Sequence, residues 1–120
     1  MSASKPAVPG VTYEDVHQSF QIRLSGEQAR LTTLADALRC SDNGAASAFG
    51  ELEWFAHRLR GAAAVFDYPE LRDAAKVLEV AANAAVLEFA PFDEPRVQTA
   101  IRTLVLQLTR LTAGNPPLDG

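Results

Sequence analysis

Apolar residues recur along the chain at helical spacing. Ala48, Leu52, Phe55, Leu59, Ala62 and Phe66 follow a 4-3-4-3-4 pattern, the signature of a helix with one buried stripe. Val16, Phe20 and Leu24, then Leu31, Leu34 and Leu38, keep a single phase and predict a first helix over 12–40. Thr12 with Asp15 resembles a capping box, with Asp in place of Glu. Ser25-Gly26 is a potential break, since Ser25 followed by Gln28 is itself a capping signal. Ser41 to Gly44 reads as a turn, and the second helix is expected over 45–67. Pro69 suits a first helical turn and Asp67 with Glu70 suits a cap, which predicts a third helix over 69–90. Its stripe is Leu71, Ala74, Leu78, Ala81, Ala82, Ala85 and Phe89, with Arg72, Lys76, Glu79 and Asn83 outside. The many alanines predict close helix packing. After the loop Pro91 to Pro95, the residues Val97, Ile101, Leu104, Leu108 and Leu111 predict a fourth helix over 95–112.

Residues 1–11 carry Pro6, Pro9 and Gly10 and are expected to form a loose arm. Residues 113–120, with Gly114 and Asn115-Pro116-Pro117, are expected to form a tail. Four amphipathic helices joined by short loops predict an all-α, antiparallel up-down bundle over 12–112.

Composition narrows the classes. At 120 residues and 48% hydrophobic, the chain can close one core and is not globally disordered. No apolar run approaches the ~20 residues of a membrane span. Met1-Ser-Ala-Ser-Lys5-Pro6 lacks a hydrophobic segment after its charge, so no secretory signal is expected. Cys40 is the only cysteine, which excludes an internal disulfide, and no Cys/His cluster has zinc spacing. The expected location is the cytoplasm. A net charge of -4 without a basic run argues against nucleic acid as a partner.

Candidate chemistry concentrates on the second helix. His57 is two residues from both Phe55 and Leu59, hence about 200° from each around the helix. It therefore faces solvent, together with Gly50, Glu53, Arg60, Gly61 and Ala64. Gly61 is unusual there, because an exposed mid-helix glycine costs roughly 1 kcal/mol relative to alanine. A small residue beside an exposed imidazole suits the close approach of another molecule. The second histidine, His17, neighbours Val16 without a motif around it and is read as an ordinary boundary or surface residue.

The run His57-Arg58-Leu59-Arg60-Gly61-Ala62-Ala63, followed by Phe66, Leu71 and Leu78-Glu79, resembles the histidine-containing phosphotransfer (HPt) domain. That family carries His-x-Leu-Lys-Gly-Ser/Ala-Ala/Ser, then an apolar residue and usually a glycine, then Leu-Glu in the next helix. Two departures stand out. Arg60 occupies the family's Lys position and keeps the charge, and Asp67 occupies a usual Gly position in the turn after the helix.

The resemblance implies a relay of phosphoryl groups between a histidine or hybrid kinase and a response-regulator receiver domain, through phosphorylated His57. Such a chain is a relay intermediate, not a turnover enzyme. It needs no cofactor of its own, and the magnesium ion belongs to the receiver. A neutral imidazole can attack without a dedicated base, and an imidazole in water is mostly neutral near pH 7. Helical side chains lean toward the N-terminus, so Glu53, one turn earlier, is placed to accept from one ring nitrogen and orient the other. The alternative for Glu53 is a solvated charge. Arg60 is placed to balance charge on the phosphoryl group. Gly61 clears space, and Gly50, Arg58 and Ala64 offer a docking surface. A monomer is expected, since the bundle closes its own core. A different class stays open: a non-catalytic adaptor that docks on receiver or kinase domains without phosphorylation. Arg60 and Asp67 leave room for it, whereas His57 and Gly61 count against it. An unrelated helical scaffold is the third reading.

Overall fold

The structure is a computed structural model that describes residues 13–40 and 45–113, the side chains of 13–17, 45 and 113 excepted. It consists of α1 (Tyr13–Arg39), α2 (Ala45–Val65), α3 (Pro69–Leu87) and α4 (Pro95–Ala113). No strand occurs among the described residues, and none of these helices is long and apolar enough to cross a membrane. The arm 1–11, the Thr12 and Asp15 cap, the side chains of Val16 and His17, the turn 41–44 and the tail from 114 onward lie outside the described residues.

The helices pack in a ring, α1 on α2, α2 on α3, α3 on α4 and α4 back on α1. The short connections 66–68 and 88–94 fold neighbouring helices back on one another. The most extensive of these seams is that of α2 with α3. These helices also have the buried faces richest in alanine: Ala56 and Ala63 on α2, and Ala74, Ala75, Ala81, Ala82 and Ala85 on α3. Small side chains let two helix axes approach, and this seam carries the candidate site.

α1 runs unbroken through Ser25-Gly26. Leu24 and Leu31 flank the pair and are both fully buried. Burying a leucine contributes about 1.5–3 kcal/mol, which outweighs the roughly 1 kcal/mol cost of a helical glycine. On α2 the buried arc is wider than the single stripe. Leu52, Phe55 and Leu59 are in the core, but so are Phe49, Ala56 and Ala63, while Ala48, Ala62 and Phe66 are only partly covered. A helix packed against two neighbours buries more than one row of side chains.

Both internal helix ends differ from expectation, for one reason. α2 stops at Val65, not 67, and α3 at Leu87, not 90. Asp67 has φ 65° and Phe89 has φ 54°, both in the left-handed region. At the first end the Tyr68 N–H donates to Ala63 O at 2.8 Å and the Asp67 N–H to Ala64 O at 3.2 Å. At the second the Ala90 N–H donates to Ala85 O at 2.9 Å and the Phe89 N–H to Val86 O at 3.3 Å. Each is a Schellman ending, in which a left-handed residue satisfies the last carbonyls. Asp67 is thus part of the α2 ending, and the Asp67 and Glu70 cap does not form: the α3 N-cap is Tyr68, without a side-chain cap hydrogen bond. Phe89 leaves the α3 stripe and is 87% exposed, because the chain has already reversed. α4 ends at 113, one residue past the expected 112.

The α2–α3 turn is pinned to α1. Phe20 stacks on Phe66 with ring centroids 4.2 Å apart and meets Tyr68 edge-on at 5.1 Å. The Gln21 Nε2 donates to the Tyr68 hydroxyl at 3.0 Å.

Candidate functional site

Buried Phe55, Ala56 and Leu59 fix the rotation of α2 about its axis and turn His57 outward, with its side chain 51% exposed. Gly61 and Ala64 are exposed on the same helix, and Gly50, Glu53, Arg58 and Arg60 are half-buried. A Cβ built at Gly50 or Gly61 would meet no heavy atom within 4 Å. No packing contact therefore asks for glycine at either position.

The partner of the His57 ring comes from α3. His57 Nδ1 lies 2.9 Å from Glu79 Oε2. Arg60 Nε donates to Glu79 Oε1 at 2.7 Å. One carboxylate thus takes a donor on each oxygen, one from the imidazole and one from the guanidinium. Arg60 Nη2 stands 3.4 Å from His57 Nδ1. Glu79 as a carboxylate can only accept, so Nδ1 carries the ring proton. The Arg60 approach is then a positive charge beside the ring and not a hydrogen bond. In the neutral tautomer this arrangement leaves the lone pair on Nε2.

Burial alone would push the Glu79 carboxyl up. The hydrogen bonds from Arg60 and His57, with their charges, outweigh it and hold Glu79 below its ordinary value of 4.5. Glu79 therefore stays ionised through the neutral range, which keeps it an acceptor.

Spacing along α2 offers Glu53 as the group that orients the imidazole, but in the structure Glu79 makes that contact. Glu53 lines a depression of about 410 Å³ with Gly50, Trp54, His57 and Glu79, and no hydrogen bond joins it to the ring. Glu79 prevails because two donors, His57 Nδ1 and Arg60 Nε, converge on it across the α2–α3 seam. Arg58 does not line the depression, and its Nε is enclosed without a partner. A larger groove of about 650 Å³ between α3 and α4, walled by Val77, Val80 and Ala84 among others, contains no histidine or carboxylate.

A family model described as Hpt domain matches residues 20–112. The chain belongs to the Hpt domain family. The match spans the described bundle from the α1 core residue Phe20 to the last turn of α4. No curated protein and no solved structure gives a match. As an Hpt domain the chain has a phosphotransfer role in two-component signalling, in which such domains carry the phosphoryl group and do not turn over a substrate.

Two features of this candidate site do not follow from helix periodicity alone. One is Glu79, which periodicity puts on an outer face and which only the Leu78-Glu79 pair of the resembling pattern singles out. The other is Trp54, whose signal is its position three residues before His57, a spacing that makes side chains neighbours on a helix.

Proposed function

We propose that this Hpt domain relays a phosphoryl group through Nε2 of His57 between a histidine or hybrid kinase and a response-regulator receiver domain. The observation that supports this reading is the Glu79 contact at Nδ1, which leaves the Nε2 lone pair free on a half-exposed ring. In the forward step Nε2 attacks the phosphorus of the receiver's aspartyl phosphate. The N–P bond forms, the P–O bond to the aspartate breaks, and the aspartate leaves as a carboxylate. The ring becomes a cation that still donates its Nδ1 proton to Glu79, so the charge created is met by a charge already in place. Transfer to another receiver runs the same step in reverse.

Arg60 supplies the positive charge nearest the ring, through Nη2, while Nε stays with Glu79. Gly61 leaves the next turn of α2 bare beside the incoming domain, and Gly50, Arg58 and Ala64 extend the surface it meets. Glu53 is a wall of the depression on this reading, not the orienting base. The receiver brings its own magnesium ion. The working unit is a monomer, since the four helices close one core between them, and its compartment is the cytoplasm.

The test is transfer from a receiver domain charged with acetyl phosphate and magnesium. The expected result is an acid-labile, alkali-stable label on the wild-type chain and none on His57→Gln. Tight association with the receiver without label would favour the non-catalytic adaptor instead.

A further inference from the structure

Trp54 is the only tryptophan of the chain, and it is 59% exposed. An indole in water contributes little to the core and leaves apolar surface open. It is nevertheless held. The indole lies against the His57 imidazole with ring centroids 5.7 Å apart and planes 17° from parallel, within the range of offset aromatic stacks. The two residues are three apart on α2, and the imidazole leans back over the turn that carries Trp54.

The imidazole is therefore held from two helices. Glu79 on α3 takes its Nδ1 edge, and Trp54 on α2 covers one face. The two contacts have different effects. A hydrogen bond selects which nitrogen turns to α3, but a ring held at one atom can still swing about that bond. The Nε2 lone pair lies in the ring plane, so each degree of swing re-aims it. An indole filling the volume on one face blocks the swing. The charged groups around the ring are Glu79 from α3 and Arg60 and Glu53 from α2, and none of them restrains the plane as a flat ring does.

We infer that Trp54 is a positioning residue for phosphoryl transfer: it locks the plane of the His57 imidazole so that Nε2 points along one line of approach. This rests on the phosphotransfer reading of His57. The rival explanation of an exposed tryptophan at such a place is a docking anchor for the partner. The two differ in what they move. A positioning residue sets the rate of the step once partners are bound, whereas an anchor sets how much partner is needed.

Transfer from a phosphorylated receiver is measured over a range of receiver concentrations for wild type, Trp54→Ala and Trp54→Phe. Trp54→Ala lowers the maximal rate about tenfold and leaves the half-saturating concentration within about twofold, since small misplacements of reacting groups cost rate more than affinity. Trp54→Phe keeps a flat ring and recovers the rate to within about threefold of wild type. A raised half-saturating concentration at unchanged maximal rate, or no change in either, overturns the inference. A second measurement needs no phosphoryl transfer. NMR order parameters of the His57 ring C–H bonds in the resting protein fall in Trp54→Ala and are retained in Trp54→Phe. Equal order in wild type and Trp54→Ala overturns the inference as well. If the wild-type chain accepts no phosphoryl group, the phosphotransfer reading fails while the ring-order comparison still decides whether Trp54 holds the imidazole.

Discussion

His57 Nδ1 and Glu79 Oε2 meet at 2.9 Å across the α2–α3 seam, although 22 positions separate them in the chain. The contact ties the chemistry of the site to the packing of two helices. Anything that shifts α3 along α2 moves the orienting carboxylate away from the ring.

Glu79 gives the first prediction, and its sign follows from the direction of its pKa. The folded carboxyl lies below the ordinary 4.5 because Arg60 and His57 stabilise its ionised form against the opposing effect of burial. A depressed carboxyl contributes stability that is present above the unfolded value and lost as pH falls through the folded value. The gap in melting temperature between wild type and Glu79→Gln should therefore be widest near neutral pH and close as pH is lowered below 4.5. A gap that stays constant between neutral pH and pH 3 would show that the ion pairs add nothing to the fold. At neutral pH the variant should also transfer more slowly, since an amide leaves the imidazolium without its counter-charge.

Gly61 gives the second. A methyl group there meets nothing within 4 Å, so Gly61→Ala should raise stability by up to about 1 kcal/mol through helix propensity. Gly61→Gln should fold equally well but hinder transfer by obstructing the approach to His57. Thermal melts and transfer rates check both halves. Destabilisation of Gly61→Gln by several kcal/mol would mean that another part of the molecule covers the glycine.

Arg60 gives the third. Its charge stands beside the ring while its Nε is spent on Glu79. Arg60→Lys keeps the charge but loses the planar fork and should hold transfer within about tenfold, roughly 1.4 kcal/mol in the barrier. Arg60→Ala should be slower and Arg60→Glu slowest, with the spread shrinking at high salt because the site is open to solvent. Rates for the three variants at two ionic strengths provide the check, and equal rates would remove Arg60 from the phosphoryl site.

Phe89 gives the fourth. It holds φ 54° at the end of α3 with its ring in solvent, and a left-handed L-residue costs about 1–2 kcal/mol. Phe89→Gly should raise the melting temperature, by an amount reduced by the greater freedom of glycine in the unfolded chain. A lower melting temperature would mean that the phenyl ring makes a stabilising contact after all.

The helices and most of the core were legible because periodicity reports them directly. Leu24, Leu31, Leu38, Leu71, Leu78, Leu104 and Leu108 fall where their spacing puts them, and all are buried. Helix endings were less legible, because a Schellman turn needs a left-handed residue and Asp67 and Phe89 are not glycine. The face of α2 could be read from His57 against Phe55 and Leu59, but what lies opposite that face could not. Spacing within one helix offered Glu53 as the nearest carboxylate. The seam with α3 brings Glu79 to the ring instead, and only tertiary packing decides between them. Trp54 is legible as a neighbour of His57, yet whether two rings stack depends on side-chain torsions that spacing does not fix.

The fifth prediction concerns the atom that takes the phosphoryl group. The chain is phosphorylated by a charged receiver, and the phosphorylated nitrogen is identified by correlating the ring protons with 31P and 15N. The expected result is a single phosphohistidine at His57 Nε2, with Nδ1 still protonated toward Glu79. His57→Gln should show none and should stay folded, losing at most the exposed hydrogen bond to Glu79, about 1 kcal/mol or less. Phosphorylation at Nδ1, on another residue or on none would contradict the assignment of His57 and Glu79 to their roles.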